Sequence, residues 1–334
     1  MNPPAAVLIP GDGIGPEVTA AARRVIEAAG VEIDWQVFQA GQTALASGGE
    51  TLPLELLAAV RETGLALKGP LTTPVGSGFT SVNVRLRREL DLFANLRPVR
   101  SLPGINSRWR DVDLVIIREN TEGLYIGEET WEDQDTVSAV KRVSRKGSRR
   151  IARFAFQYAR DHGRKSVTAV HKANILKASD GLFLDTARET AEAFPEISFR
   201  DRIVDALCLD LTLNPWVHDT LLCPNLYGDI VSDLAAGLIG GLGLVPGANL
   251  GESCALFEGV HGSAPDIAGQ GTANPSALIL AGALLLRHLG EEHAAHRVET
   301  ALEKVLASGG VLTPDLGGKA TTREFTGAVI RHLD

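Results

Sequence analysis

Cysteine is scarce. Cys208, Cys223 and Cys254 are the only three in 334 residues, and their wide spacing excludes a disulfide framework, a zinc knuckle and a CxxC redox pair. An odd count without partner spacing fits a reducing compartment, so a cytoplasmic protein is expected. No block of basic residues occurs either. Against 41 acidic residues there are 33 basic ones, a net charge of −8, which makes nucleic acid and anionic membrane poor partners. The densest basic run, Arg145 to Arg150, leads into IARFAFQYAR and reads as a solvated helix start. Walker A, G-x-S-x-G and HExxH patterns are missing. The uncharged stretch Leu234 to Gly251 is broken by six glycines and Pro246, so it reads as a buried helix followed by a loop, not as a membrane span. The start, MNPPAAVLIPGDG, lacks the basic lead and cleavage site of a secretion signal. A soluble intracellular protein is expected.

What is present is an α/β pattern: short apolar runs alternating with amphipathic helices. Ala5 to Ile9 reads as a buried strand stopped by Pro10 to Gly13. The following helix places Val18, Ala22, Val25, Ile26 and Ala29 on one face, with Gly30 as its stop. LPLELLAAVRETG is a second helix, and GLALKGP leads from a strand into a loop. VDLVIIREN, SVTAVHKAN and DTLLCPN share one scheme, an apolar strand ending in polar residues, and ligands gather at such strand ends in α/β folds. NPSALILAGALLLRHLG is apolar around most of its circumference and predicts a central helix.

Gly11, Gly13 and Gly15 give G-x-G-x-G, one residue short of the dinucleotide fingerprint, so any dinucleotide must bind by another device. Asp229 and Asp233 stand i, i+4 on a predicted helix, where two close carboxylates repel unless a cation lies between them. Oxygen-only donors suit Mg²⁺ or Mn²⁺; the bland alternative is a solvated acidic face. Arg85, Arg87, Arg88, Arg97 and Arg100 crowd one segment and Arg118 ends a strand, a pattern suited to a substrate with several carboxylates, although the five cannot all face one site. Lys172 follows an apolar strand, where a lysine can serve as a base. His293 and His296 read as a charged helix face, whereas His261 lies among small residues that admit a ligand.

In order along nearly the whole chain, IPGDGIGPE, KGPLTTPVGSGFTSVNVRLRRELDLFANLRPVR, VIIRENTEGLY, HKANILKASDGLF, IVDALCLDL, PNLYGDIVSDLAAGLIGGLG, GVHGSAPDIAGQGTANP and DLGGKATTREF resemble the β-decarboxylating dehydrogenases of isocitrate, isopropylmalate, homoisocitrate and tartrate. The resemblance implies an α/β two-domain fold that is not a Rossmann fold. Residues 1–98 with 240–334 would form a large cofactor-binding domain, and 99–239 a small domain with the substrate and metal site and a dimer interface. It implies a homodimer with active sites built from both subunits. Arg87, Arg97 and Arg118 would hold substrate carboxylates, with Thr73 and Asn174 beside the substrate. Tyr125 would be the general acid, and Lys172 of the other subunit would assist deprotonation. Asp229 and Asp233 would hold Mg²⁺ or Mn²⁺ with Asp205 of the other subunit.

The same resemblance assigns the cofactor to His261, Gly262, Ser263, Ala264, Asp266, Ile267 and Asn274. Asp266 would bind the ribose hydroxyls, and relatives using NADP carry a Lys-Tyr pair where this chain has Asp266-Ile267, which implies NAD⁺. Ser81 and Asn83 ahead of Arg87 match the pattern by which isocitrate enzymes bind a third carboxylate. Oxidative decarboxylation of isocitrate to 2-oxoglutarate is therefore expected, with homoisocitrate or 3-isopropylmalate as the alternative substrate. A non-catalytic regulatory subunit is a second reading; the presence of Tyr125, Lys172, Asp205, Asp229 and Asp233 argues against it. A plain acid- or sugar-binding α/β protein is the third.

Overall fold

The computed structural model describes residues 3–74, 76 and 79–333. Its strands are β1 (Ala5–Ile9), β2 (Asp34–Val37), β3 (Leu65–Lys68), β4 (Ala94–Arg100), β5 (Asp113–Glu119), β6 (Glu129–Trp131), β7 (Val137–Ala139), β8 (Ser166–His171), β9 (Ser198–Ile203), β10 (Thr220–Cys223), β11 (Pro246–Leu250) and β12 (Ala255–Gly259). Its helices are α1 (Gly15–Ala28), α2 (Gly41–Ala46), α3 (Leu54–Thr63), α4 (Val82–Glu89), α5 (Arg145–Asp161), α6 (Ser179–Ala191), α7 (Val204–Leu213), α8 (Asn225–Ile239), α9 (Ser276–His288), α10 (Glu292–Ser308) and α11 (Thr322–Arg331).

Ten strands form one sheet in the order β2-β1-β3-β12-β11-β4-β5-β10-β8-β9. Both flanks are parallel, and the middle, β12-β11-β4-β5, is antiparallel. β3, β8 and β10 are buried on both faces, as continuous apolar runs in a helix-covered parallel sheet should be. The edges β2 and β9 carry Asp34 and the Arg200-Asp201-Arg202 run, and such charges discourage pairing with a further strand. A division into lobes at 98/99 and 239/240 is a proposal. It puts β2, β1, β3, β12 and β11 on one side and β5, β10, β8 and β9 on the other, and it cuts β4.

The expected helices form, and α9 buries nine of its thirteen residues. α3 stops at Gly64, whose φ of 69° is the left-handed turn that a glycine accepts without strain. The stretch Leu234 to Gly251 differs from its reading as helix and loop. α8 ends at Ile239, a short 3₁₀ turn follows, and Pro246–Leu250 is the central strand β11. Proline is tolerated there because it is the strand's first residue. Among the described residues no helix is long and apolar enough to cross a membrane.

Register prepares the site. Lys68 pairs with Glu258 across β3 and β12, Asn249 with Asn95 across β11 and β4, and Asn95 with Arg118 across β4 and β5. Residues opposite one another share a face, so five neighbouring strands carry one buried polar row in an otherwise apolar sheet.

Candidate active site

The three strand ends singled out in the sequence lie side by side, because β10 pairs with both β5 and β8 in parallel. At the end of β5, Arg118 is fully buried and Gly228 of α8 packs on it; a Cβ at Gly228 would lie 2.6 Å from Arg118 Cγ. Arg118 donates Nε and Nη2 to Asn225 Oδ1 at 3.0 and 2.7 Å and Nη1 to Asp229. Its guanidinium carbon lies 5.0 Å from the centre of the Tyr125 ring. Tyr125 in turn donates its hydroxyl to Asp229.

Asp229 and Asp233 share one face of α8, and both reach Arg97 Nη1, at 3.5 and 3.6 Å. Arg97 also donates to Asn95 Oδ1 at 2.8 Å and to Ser232. Burial pushes the Arg118 pKa down to about 9, helped by repulsion from Arg97 and Arg87. Burial acts to raise the pKa of Asp229, but Arg118 and Arg97 outweigh it and hold the carboxyl below its ordinary range. Asp233 is raised, by burial first and by repulsion from Asp229, against the pull of Arg97. Tyr125 is raised by burial and by donating to Asp229, so the phenol keeps its proton at neutral pH.

Arg87 joins this group from α4, but much of its guanidinium is spent inward. Nε donates to Asn249 at 3.0 Å and Nη2 to Glu258 at 3.1 Å. Glu258 also pairs with Lys68 at 2.8 Å and accepts from Asn249 at 2.7 Å. Asn249 Oδ1 accepts from Asn95, so the row Lys68, Glu258, Asn249, Asn95 links Arg87 to Arg97. Sequence reasoning missed these four supports. The signal for Lys68 and Glu258 was a lone charge inside an apolar strand run, LALK and ALFEG. Of the other arginines, Arg100 turns away to Glu303 and Arg88 is exposed.

At the start of α4, Thr73 donates to Ser81 at 3.1 Å, and Ser81 makes no capping bond to the helix. Asn83 Oδ1 is buried without a partner. These groups supply unspent polar atoms beside Arg87.

Lys172 and Asp205 form a separate group: the lysine pairs with Asp205 of α7, and Asn174 is exposed nearby in sequence. Among the described residues no cluster of three or more His, Cys, Asp or Glu could hold a metal, so within one chain Asp205 does not join Asp229 and Asp233. The latter two still fit a hard divalent cation. Both are oxygen donors, and both already converge on one cationic nitrogen.

The 261–274 loop packs on the glycine turn that follows β1. Ile14 N–H donates to Ser263 O at 2.9 Å, Thr72 donates to Ser263 Oγ at 2.7 Å, and a Cβ at Gly13 would lie 2.0 Å from Ser263 O. G-x-G-x-G therefore serves close packing against this loop. Asp12 ties the turn to its neighbours by accepting from Thr43 and Thr72. His261 Nε2 is buried without a partner, Gly262 and Asp266 are exposed, and Ala264 takes φ 38°. An orphaned ring nitrogen beside open backbone and a free carboxylate fits a nucleotide. Ile267 is half-buried, and Asn274 is buried with its amide engaged by Asp315 and Ser276 N–H, each at 2.9 Å.

The sequence profile described as isocitrate/isopropylmalate dehydrogenase matches residues 5–329. The chain is 49% identical over 333 residues to isocitrate dehydrogenase (NAD) catalytic subunit 5, mitochondrial, of Arabidopsis thaliana, covering 99% of this chain and 89% of that one. It is also 49% identical over 327 residues to 3-isopropylmalate dehydrogenase of Methanothermobacter thermautotrophicus, covering 98% of each. The crystal structure of isocitrate dehydrogenase from Methylococcus capsulatus superposes with a TM-score of 0.96 at 51% identity, over 98% of this chain and 99% of that one. The chain therefore belongs to the isocitrate/isopropylmalate dehydrogenase family of β-decarboxylating dehydrogenases.

Proposed function

We propose that the protein oxidatively decarboxylates isocitrate to 2-oxoglutarate and CO₂ with NAD⁺ and Mg²⁺ or Mn²⁺, as a homodimer. The observation that carries the chemistry is the meeting of Arg87, Arg97 and Arg118 with Tyr125, Asp229 and Asp233 at one strand end. Several carboxylates have donors there, a protonated phenol stands beside them, and two acids converge on one cation. Bound in the site, a divalent cation supplies Lewis-acid polarisation of a substrate hydroxyl and its neighbouring carboxylate, and NAD⁺ supplies the hydride acceptor.

The chain's own groups do the rest. Asn95, Ser232 and Asn225 fix the guanidiniums of Arg97 and Arg118 beside Asp229, so their positive charge is already in place for a substrate carboxylate. The partner's Lys172 assists removal of the hydroxyl proton. After CO₂ leaves, Tyr125 returns a proton to the carbon that lost it. Sharing of the site is supported by Asp205, the partner of Lys172, not clustering with Asp229 and Asp233 within one chain. Exposed apolar side chains on the helices that carry Asp205 and Asp229, Leu209 and Leu213 on α7 and Ile230 on α8, are available to a second copy.

Isocitrate is favoured by the residue types at Ser81 and Asn83, whose hydroxyl and amide N–H groups can donate to a third carboxylate and would be wasted on an isopropyl group. Asp266 would repel a 2′-phosphate, which favours NAD⁺. The relative named 3-isopropylmalate dehydrogenase, as similar as the isocitrate enzyme, supports a second reading with that substrate. Steady-state kcat/KM for isocitrate, homoisocitrate and 3-isopropylmalate, each with NAD⁺ and NADP⁺, tests the assignment. Isocitrate with NAD⁺ should lead; preference for either competitor replaces the substrate and leaves the mechanism standing.

A further inference from the structure

Asp180, in the first turn of α6, has no exposed surface. Its carboxylate takes three donors from three separate parts of the chain. They are the Lys172 N–H at 2.7 Å, the Tyr227 hydroxyl at 3.0 Å and the ammonium of Lys141. The Lys141 ammonium also lies 5.0 Å from the centre of the Tyr227 ring, closing the group on itself. Immediately after Lys172, Ala173 N–H donates to His171 Nδ1 at 3.0 Å, and His171 Nε2 lies 3.1 Å from Asp201. Side chains thus accept both peptide N–H groups at this turn.

A buried acid paired with a lysine often does no more than hold a fold. The choice of donors argues for more here. One is the backbone of the lysine that the proposed function sends into the partner's site. Another stands on α8, two residues before Asp229, in the chain's own site. A single carboxylate therefore joins the two catalytic contributions of one subunit.

We propose that Asp180 is a positioning residue: it fixes the Lys172 backbone against α8 and so sets where the lysine presents its ammonium. This rests on the shared-site reading. Mixed dimers test both separately. Lys172→Met and Asp229→Asn chains carrying different tags are co-expressed and purified through both tags. Such a dimer keeps one intact site, with Asp229 from the first chain and Lys172 from the second. Asp180→Asn is then placed in either chain.

In the Asp229→Asn chain it sits behind the working lysine, and kcat should fall on the order of 100-fold with KM little changed, the cost of a misplaced group. In the Lys172→Met chain it sits behind an absent lysine, and the fall should be much smaller. Equal falls in both placements, or none in either, overturn the proposal. An inactive mixed dimer without Asp180→Asn overturns the shared-site reading itself and removes the lysine that Asp180 would position. Should Asp180→Asn chains fail to fold, Tyr227→Phe in the same two placements removes one anchor and leaves the Asp180–Lys141 pair. It should show the same asymmetry, and symmetric effects contradict the proposal.

Discussion

Tyr125 donates its hydroxyl to Asp229, the carboxylate that also takes Arg118 and reaches Arg97. The proposed proton donor, a proposed anion-binding arginine and a proposed metal ligand are thus held in direct contact before any ligand enters.

Tyr125→Phe removes that proton and leaves the ring against Arg118. kcat with isocitrate should fall about 10²- to 10⁴-fold, the range for losing a general acid. Thermal unfolding should shift little. A near-unchanged kcat would assign the proton to another group.

Asp233→Asn keeps the size of the side chain and removes a hard anionic donor. Mn²⁺ affinity measured calorimetrically should weaken at least about 10-fold, and activity should become dependent on excess Mn²⁺. Chelation should abolish turnover of the unmodified protein and added Mn²⁺ should restore it.

Glu258 answers to pH through stability. Burial acts to raise its pKa, but Lys68 and Arg87 hold it far below the ordinary glutamate range. A folded-state pKa below the unfolded one means stabilisation that is full above the unfolded value and is lost as pH falls toward the folded one. Glu258→Gln leaves Lys68 buried and unpaired and should cost about 3–5 kcal/mol at neutral pH. The gap between the two proteins in urea unfolding should narrow as pH falls below about 4.3, the ordinary glutamate value.

Gly228→Ala tests how α8 seats Arg118. The new methyl group would lie within van der Waals radii of Arg118 Cβ and Cγ, both fully buried. Overpacking of this kind costs about 1–3 kcal/mol. Because the displaced side chain is the one proposed to hold substrate, KM should rise alongside the loss of stability.

The strands and helices were legible because period and punctuation agree: AAVLI, LELLAAVRETG and SALILAGALLLRH each carry one unambiguous pattern. β11 was not, since PGANL has the composition of a turn and becomes a strand only through pairing with β4 and β12. The acid pair was readable from i, i+4 spacing alone, and the selection of Arg87, Arg97 and Arg118 required the family resemblance. Lys68 and Asn95 meet Glu258 and Asn249 through strand register between segments more than 150 residues apart, which no local pattern encodes. Asp180 was invisible for a similar reason: two of its three donors, Lys141 and Tyr227, lie 39 and 47 residues away.

Anomalous diffraction from crystals grown with Mn²⁺ tests the central claim most directly. The shared-site account predicts one peak per active site, bounded by Asp229 and Asp233 of one chain and by the partner's Asp205. Manganese held elsewhere, or those carboxylates apart with no peak between them, would contradict it.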